Sequence, residues 1–158
     1  MSIELCRAYF RALGREGDIL EFDSSSATME LAAQAVGVEP ARIAKTLSFL
    51  VDGACVLIVA AGDARIDNSK FKAQFHTKAK MLSPEEVEHF TGHVVGGVCP
   101  FGLRRPEAVT TYLDVSLKRF TSVYPAAGSA NSAICLTCGE LETYSHSAGW
   151  IDVCKNWP

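Results

Sequence analysis

Thr46-Leu47-Ser48-Phe49-Leu50-Val51-Asp52-Gly53-Ala54-Cys55-Val56-Leu57-Ile58-Val59-Ala60-Ala61 is the stretch on which the fold class turns. It opens with polar and apolar residues in alternation, the period of a half-buried strand. Asp52-Gly53 then supplies two residues that tolerate the left-handed backbone of a type I′ turn. The return, Ala54 to Ala61, is apolar throughout and reads as a buried strand. The segment predicts an antiparallel β-hairpin.

Outward from the hairpin the period changes. Ile3, Cys6, Tyr9, Phe10 and Leu13 recur at helical spacing over residues 3–15. Ile19 to Phe22 predicts a short strand. Thr28 is placed to cap a helix through Val36, which Gly37 ends, and Pro40 opens a further helical turn. Beyond the hairpin, Gly62-Asp63 breaks the strand, and Asn68 is expected to cap a helix through Phe75. Ser83-Pro84-Glu85-Glu86 is a capping box with proline at the first helical position, for a helix that stops at Gly92. Strands are expected over 110–113, 122–124 and 133–136, with a tight turn at Ala127-Gly128-Ser129. A helix over 140–145 and a strand from Trp150 to Val153 complete the series. These elements interleave without a regular βαβ rhythm. They predict an α+β fold, a mixed and largely antiparallel sheet or partly closed barrel flanked by helices. One domain over residues 1–158 is expected, since no linker, repeat or low-complexity tract interrupts the chain.

Composition narrows the class of function. With 48% hydrophobic and 21% charged residues, the chain suits a globular protein with one core. A net charge of −3, with no run of five basic residues, argues against a strong sequence-independent grip on nucleic-acid backbone. Any such contact should be local. The longest apolar run, 54–61, is too short to span a bilayer, so no membrane association is expected. Met1-Ser2-Ile3-Glu4 offers neither a basic nor an apolar signal region. The expectation is a cytoplasmic protein, with its six cysteines (6, 55, 99, 135, 138 and 154) as reduced thiols.

Two features stand out as candidate chemistry. Lys45 begins a strand whose following residues are mostly apolar, an expensive place for an unpaired ammonium. It reads either as a cation at a pocket mouth or as a lysine snorkelling off a strand end. Residues 92–102, Gly-His-Val-Val-Gly-Gly-Val-Cys-Pro-Phe-Gly, hold too many glycines for a regular strand. Gly96-Gly97 can turn backbone N–H groups toward an anion while Pro100 stiffens the exit; a tight turn is the plain alternative. Gly128-Ser129-Ala130-Asn131 can line the same pocket or simply reverse the chain. Cys135-Leu136-Thr137-Cys138 has zinc-ligand spacing but no second Cys/His pair, and Cys99 serves as a nucleophile only with a base such as His93 in reach. No phosphate loop, dinucleotide fingerprint or nucleophile elbow occurs.

Taken together, Ala44-Lys45-Thr46-Leu47, the hairpin ending in Ala60-Ala61-Gly62-Asp63, the 92–102 loop and Ala127-Gly128-Ser129-Ala130-Asn131 resemble the YbaK/EbsC family. That family comprises free-standing deacylases and the editing insertion of bacterial prolyl-tRNA synthetases. The resemblance implies that Lys45 holds the 3′-terminal adenosine of an aminoacyl-tRNA. It implies that the Gly-x-x-x-Pro loop, Gly96, Gly97, Val98, Cys99 and Pro100, positions the scissile ester carbonyl, with Gly97 catalytic beside Lys45. Thr46, Gly128, Ser129 and Asn131 become pocket walls. It further implies hydrolysis of mischarged tRNA, with tRNA for proline carrying Cys, Ala or another small amino acid foremost. Neither metal, cofactor nor enzyme nucleophile is implied; water or a substrate group attacks. The implied partners are the acceptor end of the tRNA and a prolyl-tRNA synthetase, and the protein is a monomer or a homodimer. Two other readings stand beside this one. One is a catalytically silent module that binds a nucleotide or aminoacyl ligand in the same fold. The other is a thiol redox or metal protein built on Cys135 and Cys138.

Overall fold

The computed structural model describes residues 2–22 and 29–158. Its helices are α1 (Ser2–Ala12), α2 (Met29–Val36), α3 (Asn68–Phe75), α4 (Pro84–Thr91) and α5 (Cys138–Tyr144). Its strands are β1 (Ile19–Glu21), β2 (Ile43–Val51), β3 (Ala54–Ala61), β4 (Arg65–Ile66), β5 (Val109–Asp114), β6 (Ser122–Pro125), β7 (Ser132–Ile134), β8 (Leu136–Thr137), β9 (Trp150–Ile151) and β10 (Cys154–Lys155). None of the described helices is long and apolar enough to cross a membrane.

The hairpin forms as its sequence dictates. β2 and β3 pair antiparallel from Ala44 against Ala61 to Val51 against Ala54. Asp52 and Gly53 both take positive φ, at 50° and 79°. This ladder is the middle of a curled six-stranded sheet in the order β8-β6-β2-β3-β5-β9. β6 joins β2, β5 joins β3 and β9 joins β5 in parallel, so the sheet is mixed. Two short antiparallel pairs, β1 with β7 and β4 with β10, form separate two-stranded sheets.

Period-two geometry sends alternate side chains of β3 to opposite faces. Val56, Ile58 and Ala60 enter a main core with Phe10, Phe71, Phe101 and Leu113, while Cys55 and Leu57 pack on Leu82 and Val87 beneath α4. Both faces are therefore covered, which is why the run carries no polar residue.

Three sequence expectations shift. Asp67, not Asn68, caps α3, because its carboxylate reaches the N–H groups of Ser69 and Lys70. The expected strand over 133–136 divides at Cys135, with β7 pairing to β1 and β8 to β6. The last strand is only two residues long, followed by the separate β10. The Ser83 capping box forms as expected, and a second one, Thr137 with Glu140, starts α5. Thr28, the expected cap of α2, lies outside the described residues.

Candidate functional site

The parallel pairing of Ile43 and Ala44 with Tyr124 and Pro125 brings the chain after β6 beside the start of β2. That chain is the Ala127–Asn131 turn. The 92–102 loop, leaving α4 at Gly92, packs against it from the other side. An added Cβ on Gly97 would meet the backbone of Gly128 at 2.6 Å and Ser129 Cα at 2.7 Å. Only glycine permits that approach. Between the turn, the loop, β2 and α4 lies a cleft of about 280 Å³.

The cleft gathers Lys45, Thr46, Gly96, Val98 and Ser129, five of the residues named from the sequence. Ser48, Phe22 and Tyr124 also line it, as do Met81, Leu82 and Val87, which sequence reasoning did not reach. Their signal was invisible because nothing in their own stretches of sequence marks them until the sheet curls. Most walls are small or apolar. Among the described residues, Thr46 Oγ1 is the one buried side-chain nitrogen or oxygen without a hydrogen-bond partner. A buried hydroxyl left unpaired costs roughly 1–3 kcal/mol, so a bound polar group has something to gain there.

The Lys45 ammonium donates to the carbonyl oxygens of Gly62, at 3.4 Å, and of Ala64. An ammonium has three donors, so two carbonyls leave one for a ligand. Burial lowers the pKa of Lys45. The turn that supplies these carbonyls is pinned by Arg119, whose guanidinium grips Asp63 through two hydrogen bonds of 2.9 and 2.5 Å.

Other expected residues support the cleft without lining it. Gly97 donates its N–H to Val94 O at 2.9 Å, so this amide is committed inside the loop. Its place in the site is steric. Asn131 braces a wall: Nδ2 donates to Phe22 O at 2.9 Å, and Phe22 N–H donates to Asn131 O at 2.8 Å. Ser129 Oγ lies 2.9 Å from Asn131 Oδ1 and 2.7 Å from Ser132 Oγ. Pro100 is buried. Gly128 is the backbone on which Gly97 rests.

Cys99 turns away from the cleft. Its Sγ is 3.2 Å from Cys6 Sγ and 3.5 Å from His93 Nε2, and all three residues are fully buried. Burial pushes the Cys99 thiol up, but the hydrogen bond with Cys6 and the His93 imidazole outweigh it and lower the pKa. The Cys6 thiol is raised by its hydrogen bond with Cys99 and by burial. Burial pulls the His93 imidazole down, and its contact with Cys99 raises it overall. Among the described residues this trio is the one Cys/His/Asp/Glu group close enough to share a metal ion. The Cys138 thiol instead lies 3.4 Å from the carbonyl oxygens of both Leu117 and Phe120, one of which takes its proton.

Residues 23–144 match the family model described as the aminoacyl-tRNA editing domain, and the chain belongs to that family. It is 57% identical over 158 residues to YwhH of Bacillus subtilis (strain 168), covering 99% of both chains. It is 30% identical over 107 residues to an Enterococcus faecalis protein provisionally named Cys-tRNA(Pro)/Cys-tRNA(Cys) deacylase EbsC. That match covers 66% of this chain and 64% of that one. A crystal structure provisionally described as a trans-editing enzyme for prolyl tRNA synthetase superposes with a TM-score of 0.87 at 28% identity. The superposition covers 98% of this chain and 97% of that one.

Proposed function

We propose that the protein hydrolyses the ester of mischarged tRNA, foremost tRNA for proline carrying Cys, Ala or another small amino acid. The observation that carries this reading is the convergence of Lys45, with a donor left over, and the glycine loop on one cleft beside Thr46. The remaining donor of Lys45 takes the 3′-terminal adenosine end. The backbone at Gly96 and Val98 faces the ester carbonyl, where negative charge develops in the transition state. Thr46 Oγ1 bonds a polar group of the bound aminoacyl end. Water or a substrate group attacks, and holding the ester in place supplies the rate gain. No enzyme nucleophile is assigned. Cys99, the tempting one, has its sulfur in the core.

Phe22, Met81, Leu82 and Tyr124 narrow the cleft, so larger side chains are excluded by overlap, which discriminates better than apolar fit. The net charge of −3 supports a local grip on the acceptor end, with a prolyl-tRNA synthetase retaining the rest of the tRNA. The family and both provisionally named relatives support the same class of substrate. The test is release of amino acid from Cys- and Ala-charged tRNA for proline against the Pro-charged control. Faster release from a mischarged species upholds the proposal. Saturable binding of every species with no release overturns it in favour of a binding module.

A further inference from the structure

We propose that Cys6, His93, Cys99 and the carbonyl of Phe101 form a structural site for a zinc ion, which ties α1 to the loop lining the cleft. Four potential ligand atoms converge there. The two sulfurs are 3.2 Å apart and Cys99 Sγ is 3.5 Å from His93 Nε2. Phe101 O lies 2.7 Å from that nitrogen and 3.7 and 3.8 Å from the sulfurs of Cys6 and Cys99. Tetrahedral zinc with Zn–S of about 2.3 Å and Zn–N of about 2.0 Å sets sulfurs about 3.8 Å apart and sulfur and nitrogen about 3.5 Å apart. The sulfur–nitrogen separation fits that tetrahedron, and seating the ion means spreading the two sulfurs, and Phe101 O from His93 Nε2, each by roughly half an ångström.

Charge favours the ion as well. Two thiolates balance Zn²⁺, and imidazole and carbonyl are neutral, so the filled site carries no net charge into a fully buried place. Binding releases the protons still held on the two sulfurs, and His93 gives up the Nε2 proton that now faces Phe101 O, staying neutral as the Nδ1–H tautomer so that the Nε2 lone pair meets the metal. Four protein ligands leave no open position, so the ion holds structure and activates no water. The ligands come from distant parts of the chain, 93 residues apart between the cysteines. They exist as a set only once α1 has docked, which couples metal uptake to folding. His93, Cys99 and Phe101 alternate along a loop whose Gly96 and Val98 face the cleft, so the ion fixes the far side of the same loop.

The experiment uses the untagged full chain produced in zinc-supplemented medium and purified without chelator. Metal analysis should find equimolar zinc in the wild type, retained in Cys138→Ser and lost in Cys6→Ser and Cys99→Ser. Should those two variants fail to fold, wild type refolded with Co²⁺ answers alone. Thiolate-to-cobalt charge transfer and the intense visible bands of tetrahedral Co²⁺ support the site. Zinc in the wild type no higher than in a Cys6→Ser/Cys99→Ser double variant, or cobalt spectra without thiolate character, overturns it. A mapped Cys6–Cys99 disulfide in metal-free wild type also overturns it and makes the pair a redox couple.

Discussion

Gly97 is packed so closely on Gly128 that a side-chain carbon at Gly97 would stand 2.6 Å from the Gly128 carbonyl carbon. Two backbone segments from distant parts of the sequence thus meet without side chains between them. Gly97→Ala must push the loop and the turn apart. It should cost about 1–3 kcal/mol by overpacking. Because Gly96, Val98 and Ser129 lie on the separated segments, amino-acid release should fall as well. Urea unfolding and the deacylation assay check the two effects, and full stability in the variant would show that the contact is loose.

This contact also marks what the sequence made legible. Asp52-Gly53 and the unbroken apolar run after it announce the hairpin, because turn chemistry and burial are local properties. Lys45 and the glycine loop stand out for the same reason: an ammonium beside apolar residues and a glycine excess are odd wherever they fall. What could not be read is pairing across distance. The parallel joining of β2 to β6 leaves no trace in either strand, yet it brings Ser129 to Thr46. Cys6 reads as one more apolar residue on a helix until α1 docks on Cys99. Gly97 shows the other limit. Its spacing predicts an inward amide, and the structure spends that amide on Val94.

Thr46→Val tests the unpaired hydroxyl. Removing a buried oxygen that has no partner should leave stability unchanged or raise it by about 1 kcal/mol. If Thr46 Oγ1 serves the substrate, kcat/KM should drop by about tenfold, the worth of roughly one hydrogen bond. Thermal unfolding and steady-state kinetics separate these. A destabilised variant with full activity would mean that the hydroxyl serves the fold.

Arg119 and Asp63 should show their pairing in acid. The guanidinium hydrogen bonds hold the Asp63 carboxyl below its ordinary value of 3.8. A carboxyl lowered on folding stabilises the protein above its unfolded pKa, and that stabilisation is lost as pH falls through the folded value. Arg119→Met keeps an apolar stem and removes the pairing. The gap in urea midpoint between wild type and variant should be present at neutral pH and close below about pH 4. A gap that persists in acid would assign it to the packing of Arg119 on Phe120 and Trp157.

Hydrolysis turns on Lys45, whose ammonium is anchored on the carbonyls of Gly62 and Ala64 at the edge of the cleft. The most direct measurement is amino-acid release from Cys- and Ala-charged tRNA for proline by wild type and by Lys45→Ala, with circular dichroism on both. Wild type should hydrolyse a mischarged species, and the variant should be slower by at least about 100-fold on an unchanged fold. A well-folded Lys45→Ala protein that releases the amino acid at the wild-type rate would contradict that role of Lys45.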